Sequence, residues 1–523
     1  MKLALRTTLP IWVAFCAWAG QAPVCNVLDY GAKNDASARS TAAIKRAIEA
    51  CTAAGGGTVY FPAGTYLTGA IELASNLVLD IDAGATIRFH TDLAEYPLVK
   101  GRLEGVEVLT PAPLIGGRNL ENVTITGRGT LTTDNAEWRM RASDPEARKM
   151  WASVLQRRER KEEVPEEDLR KAALALRPSM IRPMDSKNIL IEGIHIVGSS
   201  MWTIHLLYCE NVVVRNVIVE TYPGANTDGI DVDSSREVRI SDSYFDTGDD
   251  AICIKSGKDA DGRRVGRPTE NVTITNCTVR RAHGAVVLGS ETAGGIRNVV
   301  ASNIVSKGTD HGIRIKSGRG RGGLIENIRF DNWVIENPGR EAIMVTNYYT
   351  RVPVEPVSER TPVFRNIAIS NVTVSGAPAV ASIEGLPEMP VWGLRITDLI
   401  GSGRRGLRAF NTEGLELRNV RLEAADGPAF LIRDSAGLDL DRVESRQPNA
   451  AAPVIRLDNC TAALIRGSRA WPGTSTFLSV QPGFLKGVTL EGNHLGEAKT
   501  PSEEAAGDYW KGIMSPDRLP ARR

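Results

Sequence analysis

The sequence predicts an all-β chain built as a single right-handed parallel β-helix. A short pattern of Asn, alternating aliphatics and a second polar residue recurs from Asn122, Asn188, Asn211, Glu237, Asn271, Asn298, Asn327 and Asn366. Each copy has the period of two and the β-branched content of a strand. Weaker copies start near Gly393, Leu415, Leu438, Thr461 and Gly487, and no helical pattern separates most of them. Fifty glycines against 6% aromatic residues fit a turn-rich architecture with a small-residue and aliphatic core. In such a solenoid each coil adds one rung at about 4.8 Å, so equivalent side chains stack into ladders. The Asn positions are then expected inside the coil or lining its turns.

At roughly 150 residues per domain, 523 residues suggest three domains, a division that solenoids break. From the N-terminus, Lys2 and Arg6 precede an apolar run from Leu9 to Gly20, with small residues at Ala17 and Ala19. This pattern reads as a cleaved secretory signal over residues 1–19, hence a secreted or periplasmic protein. The run is too short to span a bilayer, and no later stretch is long and apolar enough to do so. Of the seven cysteines, Cys25, Cys51, Cys209, Cys253, Cys277 and Cys460 follow the cleavage point. Their spacing is neither a disulfide framework nor a zinc site, so they read as buried small hydrophobes with at most one bridge. The β-helix is expected over residues 20–500.

An open solenoid needs a cap on its apolar end. Residues 40–51 supply one: Ile44, Ala47, Ile48 and Cys51 share a helical face, Ser40 or Thr41 can N-cap, and glycines 55 to 57 stop the helix. A second helical stretch, about 144–176, is rich in Arg, Lys and Glu and reads as a solvated insertion. Residues 501–523 lack a strand pattern and read as a tail. Sixty-three Lys and Arg against 62 Asp and Glu leave a net charge of +1, which disfavours bulk attraction to nucleic acid or an anionic membrane. A monomer that meets any charged partner through a local patch is expected.

One constellation stands out. Asn226, Thr227 and Asp228 precede the strand at Glu237, and Asp249 and Asp250 follow it. His283, then Arg314 and Lys316, come after about one further coil each, so these residues can share one groove. Taken singly, each has an ordinary reading: Asp228 as a turn former, the Asp pair as a solvated turn or calcium ligands, His283 as a loop residue. Three carboxylates brought together cannot all ionise freely, so at least one should keep its proton near neutral pH. Glycoside hydrolysis uses that combination, one carboxyl to protonate the leaving oxygen and one carboxylate to activate water. Arg314 and Lys316 beside them suit an anionic sugar.

In order and spacing, Asn226 to Asp228, Gly248 to Asp250, His283 with Gly284, and Arg314 to Lys316 resemble the four signature motifs of the polygalacturonase family, glycoside hydrolase family 28. Flanking stretches agree, among them 202–205, 254–257, 288–291 and 294–298, while residues 29–33 and 55–66 look like the opening coil of pectin-degrading β-helices. The resemblance implies a pectin-lyase-like solenoid and inverting hydrolysis of α-1,4-galacturonosyl bonds in pectic polysaccharide or oligogalacturonides, with no metal or other cofactor. Carried onto this chain, it makes Asp249 the general acid and gives Asp228 and Asp250 the water. It has His283 tune the acid, and Arg314 and Lys316 bind the substrate carboxylate with Asn226. Tyr348 or Tyr349 would stack on a neighbouring sugar, with Tyr348 the chosen residue.

This chain departs from the family pattern at Ala282, where glycine is usual, and at Ala251, where cysteine is usual, with Cys253 two residues on. Rhamnogalacturonan or xylogalacturonan hydrolysis is the alternative within the family; a calcium-dependent pectate lyase and a non-catalytic polysaccharide-binding β-helix lie outside it. Residues 255–267 and 314–321 together carry nine Lys or Arg, which predicts a basic groove around the acidic centre.

Overall fold

The computed structural model describes residues 22–510 apart from 142, 174 and 508. The predicted signal segment 1–19 and residues 511–523 lie outside the described residues. Among these, 37 strands join one parallel sheet that winds through three faces as a β-helix. The rungs follow the aliphatic repeat. On the first face Ile204, Ile230, Ile252, Val286, Ile313 and Ile343 stack in register and point inward, all fully buried. Each such side chain contributes about 1.5–3 kcal/mol by leaving water. Because side chains alternate, the next residue of each rung points outward, and His205, Asp231, Cys253, Val287 and Arg314 form a second column on the outer surface of that face.

The Asn repeat lines the turns, on the outside of the coil. Nδ2 of Asn298 donates to Oδ1 of Asn271 (2.9 Å), Asn327 to Asn298 (3.1 Å) and Asn366 to Asn327 (2.7 Å). All four sit at left-handed backbone corners, with φ between 51° and 58°. A corner of this kind favours Asn, which tolerates φ > 0, and the amide's paired donor and acceptor let the ladder propagate. A second ladder, Asn276, Asn303 and Asn332, bends Thr269–Val279, Ile296–Lys307 and Leu324–Glu336 between the other two faces.

The expected cap is present as helix Thr41–Ala53, which buries Ala43, Ile44, Ala47, Ile48 and Cys51. Ser40 occupies the N-cap position without capping; its hydroxyl instead bonds Lys33. Thr41 is also diverted, donating to Glu95. Cys25 and Cys51 form a disulfide that ties the first strand to this helix, and the other four cysteines among the described residues are buried and free.

The charged insertion is helical, as Asn135–Arg141, Pro145–Glu159 and Glu166–Ala173, but it is not merely solvated. Ala147, Val154, Val164, Ala172 and Leu176 pack with Leu103, Val106 and Val108 of an antiparallel hairpin, Leu98–Leu103 with Val106–Pro111, and with Met201 and Trp202 of the coil. Its charges mask a narrow apolar stripe of small residues. The C-terminal expectation needs correction as well: Thr500–Glu504 is a strand paired with Thr476–Val480, so the solenoid runs past residue 500.

Asn298→Ala should remove both ladder bonds and strain the left-handed corner, lowering the thermal midpoint by roughly 2–6 °C. Asn298→Gly should lose the bonds but not the corner, and fall less; calorimetry of the two variants checks this.

Candidate active site

The outward column of the first face forms a floor, and the turns entering each rung form one wall. Asp228 enters its rung from the turn 221–229, which Thr221 and Thr227 fasten internally by hydroxyl bonds to Thr227 O and Gly224 O, both 2.8 Å. Gly248 packs its α-carbon directly on the Gly224 carbonyl, where a side chain would clash, so the turn carrying Asp249 and Asp250 lies flush on the turn carrying Asp228. The Gly229 N–H donates to Asp250 O (3.0 Å), and the His283 N–H to Asp249 O (3.1 Å). The candidate residues of four successive coils are thus brought together.

Asp249 and Asp250 point to different places. Asp249 lies on the wall, where Oδ1 contacts His283 Nδ1 at 3.0 Å and accepts the Asp250 N–H at 2.9 Å. The Asp249 bond, more than any other influence, raises the His283 pKa, which favours its imidazolium form. Asp250 is buried in the floor, where its Oδ2 accepts from Lys316 Nζ at 2.7 Å and its Oδ1 lies 3.7 Å from Arg314. Burial alone would push its pKa up, but Lys316, Arg314 and Lys255 outweigh burial and hold this carboxyl far below the usual range.

Asp228 has the opposite balance. Burial, then the carboxyls of Asp231 and Asp249, raise its pKa well above normal, and Lys255 opposes them from 3.6 Å. Asp231 is raised in the same way, chiefly by burial. The expectation of a carboxyl kept near its neutral form therefore falls on Asp228 and Asp231. Donor atoms of Asp228, Asp250 and Cys253 lie within 4.8 Å of one another, so one water can reach both carboxylates while Asp249 remains on the wall.

Arg314 and Lys316 sit in the floor as expected. Tyr348 does not serve as expected: it is buried against Leu386 and Phe410, and the neighbouring Tyr349, 43% exposed, faces the Arg314 and Lys316 side chains at 5.8 and 5.3 Å from its ring. Asn226 is half-buried in a left-handed conformation and accepts from Arg177 of the insertion at 2.9 Å. Ala282 is not in the left-handed region, so its methyl causes no backbone strain, and Ala251 packs in the core. The predicted basic loops are largely paired: Arg264 with Glu107 and Asp261, Arg267 with Asp185, Arg319 with Glu388, Arg321 with Asp259.

Several residues were not singled out from sequence. Lys255, Glu291 and Trp202 occur in the flanking stretches without a role, yet Lys255 Nζ lies 3.4 Å from Asp231 and Glu291 and 4.1 Å from the Trp202 ring. Next to them, Asp233 holds buried Arg102 (2.7 Å) and His205 (3.3 Å). The signal was available in the one-coil alignment of His205 with Asp231 and of Asp233 with Lys255.

Residues 168–386 match the family described as glycosyl hydrolases family 28, and residues 24–93 match the family described as rhamnogalacturonase A/epimerase, pectate lyase-like. A hyperthermoactive exopolygalacturonase from Thermotoga maritima superposes with a TM-score of 0.67 at 35% identity, over 73% of this chain and 88% of that one. The chain belongs to glycosyl hydrolases family 28. A probable polygalacturonase of Vitis vinifera is 28% identical over 74% of this chain and 75% of its own length. An exo-poly-alpha-D-galacturonosidase of Dickeya chrysanthemi is 30% identical over 71% of this chain and 65% of its own. As a family 28 member the protein is a glycoside hydrolase with a pectic polysaccharide substrate, and its right-handed parallel β-helix is that of its relatives.

Burial opposes ionisation of Asp233 and Glu291, yet Arg102 and His205 lower the first to about 2, and Lys255 and Arg321 lower the second to about 2. Groups with depressed pKa values stabilise the fold above the unfolded carboxyl pKa of about 4, and that contribution is lost as pH falls toward 2. Arg102→Met should abolish part of it at neutral pH, costing about 3–5 kcal/mol by leaving Asp233 buried with a weak partner. Thermal unfolding at pH 7 and pH 3 should show the variant's deficit shrinking at the acid end.

Proposed function

We propose that the protein is a secreted polygalacturonase that hydrolyses α-1,4-galacturonosyl bonds with inversion, attacking from a chain end. The observation that carries this reading is the division of the carboxyls. Asp249 stands on the wall against His283, where it can protonate the glycosidic oxygen. Asp228 and Asp250 share the floor, where they can orient and deprotonate a water. Inversion needs acid and base on opposite sides of the scissile bond with room for that water, which a wall and a floor provide. Lys316, Arg314 and the exposed Tyr349 ring offer charge and an apolar face to a galacturonate unit next to the cleavage point.

End attack is supported by the hairpin and the helical insertion. They pack over the first face beside Asp228, against Met201 and Trp202 of the coil before it, with Arg102 reaching Asp233 and the Gly105 carbonyl accepting from Lys258 N–H at 2.9 Å. Similarity to the Thermotoga maritima exopolygalacturonase supports the same reading. Secretion is supported by the N-terminal sequence pattern.

Reducing ends should be released from polygalacturonate in the presence of chelator, and Asp249→Asn should lower that rate by about 10²–10⁴-fold with substrate binding retained. Unchanged hydrolysis in this variant would falsify the assignment of the acid, and an ultraviolet-absorbing product abolished by chelator would indicate a lyase. Oligogalacturonides of defined length should yield one short product from the earliest times. A random ladder of sizes would remove end attack while leaving hydrolysis in place.

A further inference from the structure

Lys255 is an ammonium that touches both the proposed water-activating carboxyl and the groups behind it. Its Nζ lies 3.6 Å from Asp228 Oδ2, 3.4 Å from Asp231 Oδ1 and 3.4 Å from Glu291 Oε2. Asp228 and Asp231 come from the turn and strand of the coil before Lys255 and Glu291 from a loop of the coil after it, and a compact point charge on a flexible stem can reach all three where a planar guanidinium would favour one. The Trp202 ring covers the ammonium at 4.1 Å, and the lysine side chain is 6% exposed, so little water screens these contacts.

We propose that Lys255 is a positioning residue for the hydrolysis: its ammonium, against Asp228 Oδ2, offsets the burial and neighbouring carboxyls around Asp228, so that this carboxyl can accept the water's proton. The proposal rests on the functional reading above. Asp228 Oδ1 and both oxygens of Asp231 are buried without a hydrogen bond, so nearby charge, more than donors, decides whether they ionise. The groups that face the pair are Lys255, Glu291, Asp249, Asp250 and Cys253, with Lys316 and Arg314 beyond Asp250 and Arg177 farther off, bonded to Asn226. Lys316 and Arg314 already neutralise Asp250 at 2.7 and 3.7 Å. Among the described residues, that leaves Lys255 as the cation in direct contact with Asp228. Burial and three neighbouring carboxyls push the Asp228 pKa up, and Lys255 is the opposing influence.

The sign of the effect follows. Removing the ammonium raises the Asp228 pKa further, so a base that must be ionised is protonated over more of the acid range, and the acid limb of kcat/KM moves to higher pH. Lys255→Met should move that limb up by about one pH unit or more, with about tenfold or greater loss at pH 5 and a smaller loss at the alkaline end. Lys255→Arg, which keeps the charge, should restore much of the limb. In Lys255→Met/Asp231→Asn, removing the like charge beside Asp228 should bring the limb back toward its original position.

The experiment is the pH profile of kcat and kcat/KM for these variants on trigalacturonate. A loss equal at every pH with the limb unmoved overturns the proposal, as does a rise in KM with kcat unchanged, which would make Lys255 a substrate contact. If Lys255→Met does not fold, Asp231→Asn in the otherwise native chain reads the same network with opposite sign: the limb should move down, and an unmoved limb overturns the proposal. Native protein that releases no reducing ends overturns the functional reading itself; native hydrolysis with an unmoved limb overturns only the role of Lys255.

Discussion

Stacking of each coil on the previous one in fixed register is the constraint on which the site depends. Parallel pairing sets the rise between rungs, and the inward aliphatics from Ile204 to Ile343 set the phase, because a slip of one residue would turn every buried side chain outward. Once phase is fixed, residues far apart in sequence become neighbours: Asp228, Asp249, His283 and Arg314 arrive from successive coils without any loop having to fold toward another. Coil length is free to vary, since extra residues are absorbed in outer turns such as 257–268 and 347–362. The close contact of Gly248 with the Gly224 carbonyl shows how tightly this stacking controls the distance between the carboxyls.

That precision has an electrostatic consequence. Four carboxyls, Asp228, Asp231, Asp250 and Glu291, are gathered around three buried cations, Lys255, Arg314 and Lys316, with Asp249 beside them against His283. Burying charge is costly unless it is paired, so the acids cannot share one state. Lys316 and Arg314 lower the pKa of Asp250 and Lys255 and Arg321 lower that of Glu291, while those of Asp228 and Asp231 are raised by burial that Lys255 only partly offsets. Unequal access to positive charge gives chemically identical side chains different tasks, and the distribution is decided by which rung each residue occupies.

The same register explains what is legible in the amino-acid sequence. The Asn repeat and the aliphatic alternation identify the coil, and one-coil spacing groups the acids with Arg314 and Lys316. Reading fails where periodicity stops. Tyr348 and Tyr349 follow the strand Glu341–Thr346 in a turn, where alternation no longer tells which ring is buried; Tyr348 packs on Phe410 and Tyr349 faces the cleft. The repeat also does not say whether an Asn lies inside or outside a corner, which depends on backbone sign, seen here as φ near +55°. In the insertion, the abundance of Arg and Glu outweighs a stripe of Ala147, Val154 and Ala172 that decides how the helices pack. Lys255 escapes notice because its importance lies in three partners from other coils.

A solenoid also separates the chemistry of a groove from its length. Floor residues are held by rungs, so a hairpin and helices inserted elsewhere can cover one end of the face without altering the register beneath. The covering elements are nevertheless not independent of the site. Arg177, at the end of the insertion, donates to the carbonyls of Ser200 and Ala225, both at 2.9 Å, and to Asn226 Oδ1. A guanidinium only donates, so it fixes the Asn226 oxygen toward the insertion and leaves the amide nitrogen as a donor two residues from Asp228. Arg102 of the hairpin likewise fixes Asp233, two residues beyond Asp231. The end of the groove and its floor are thus joined by two arginines bonded to the strand and turn that carry the water-activating acid, so a change in what closes the groove must also be felt at Asp228.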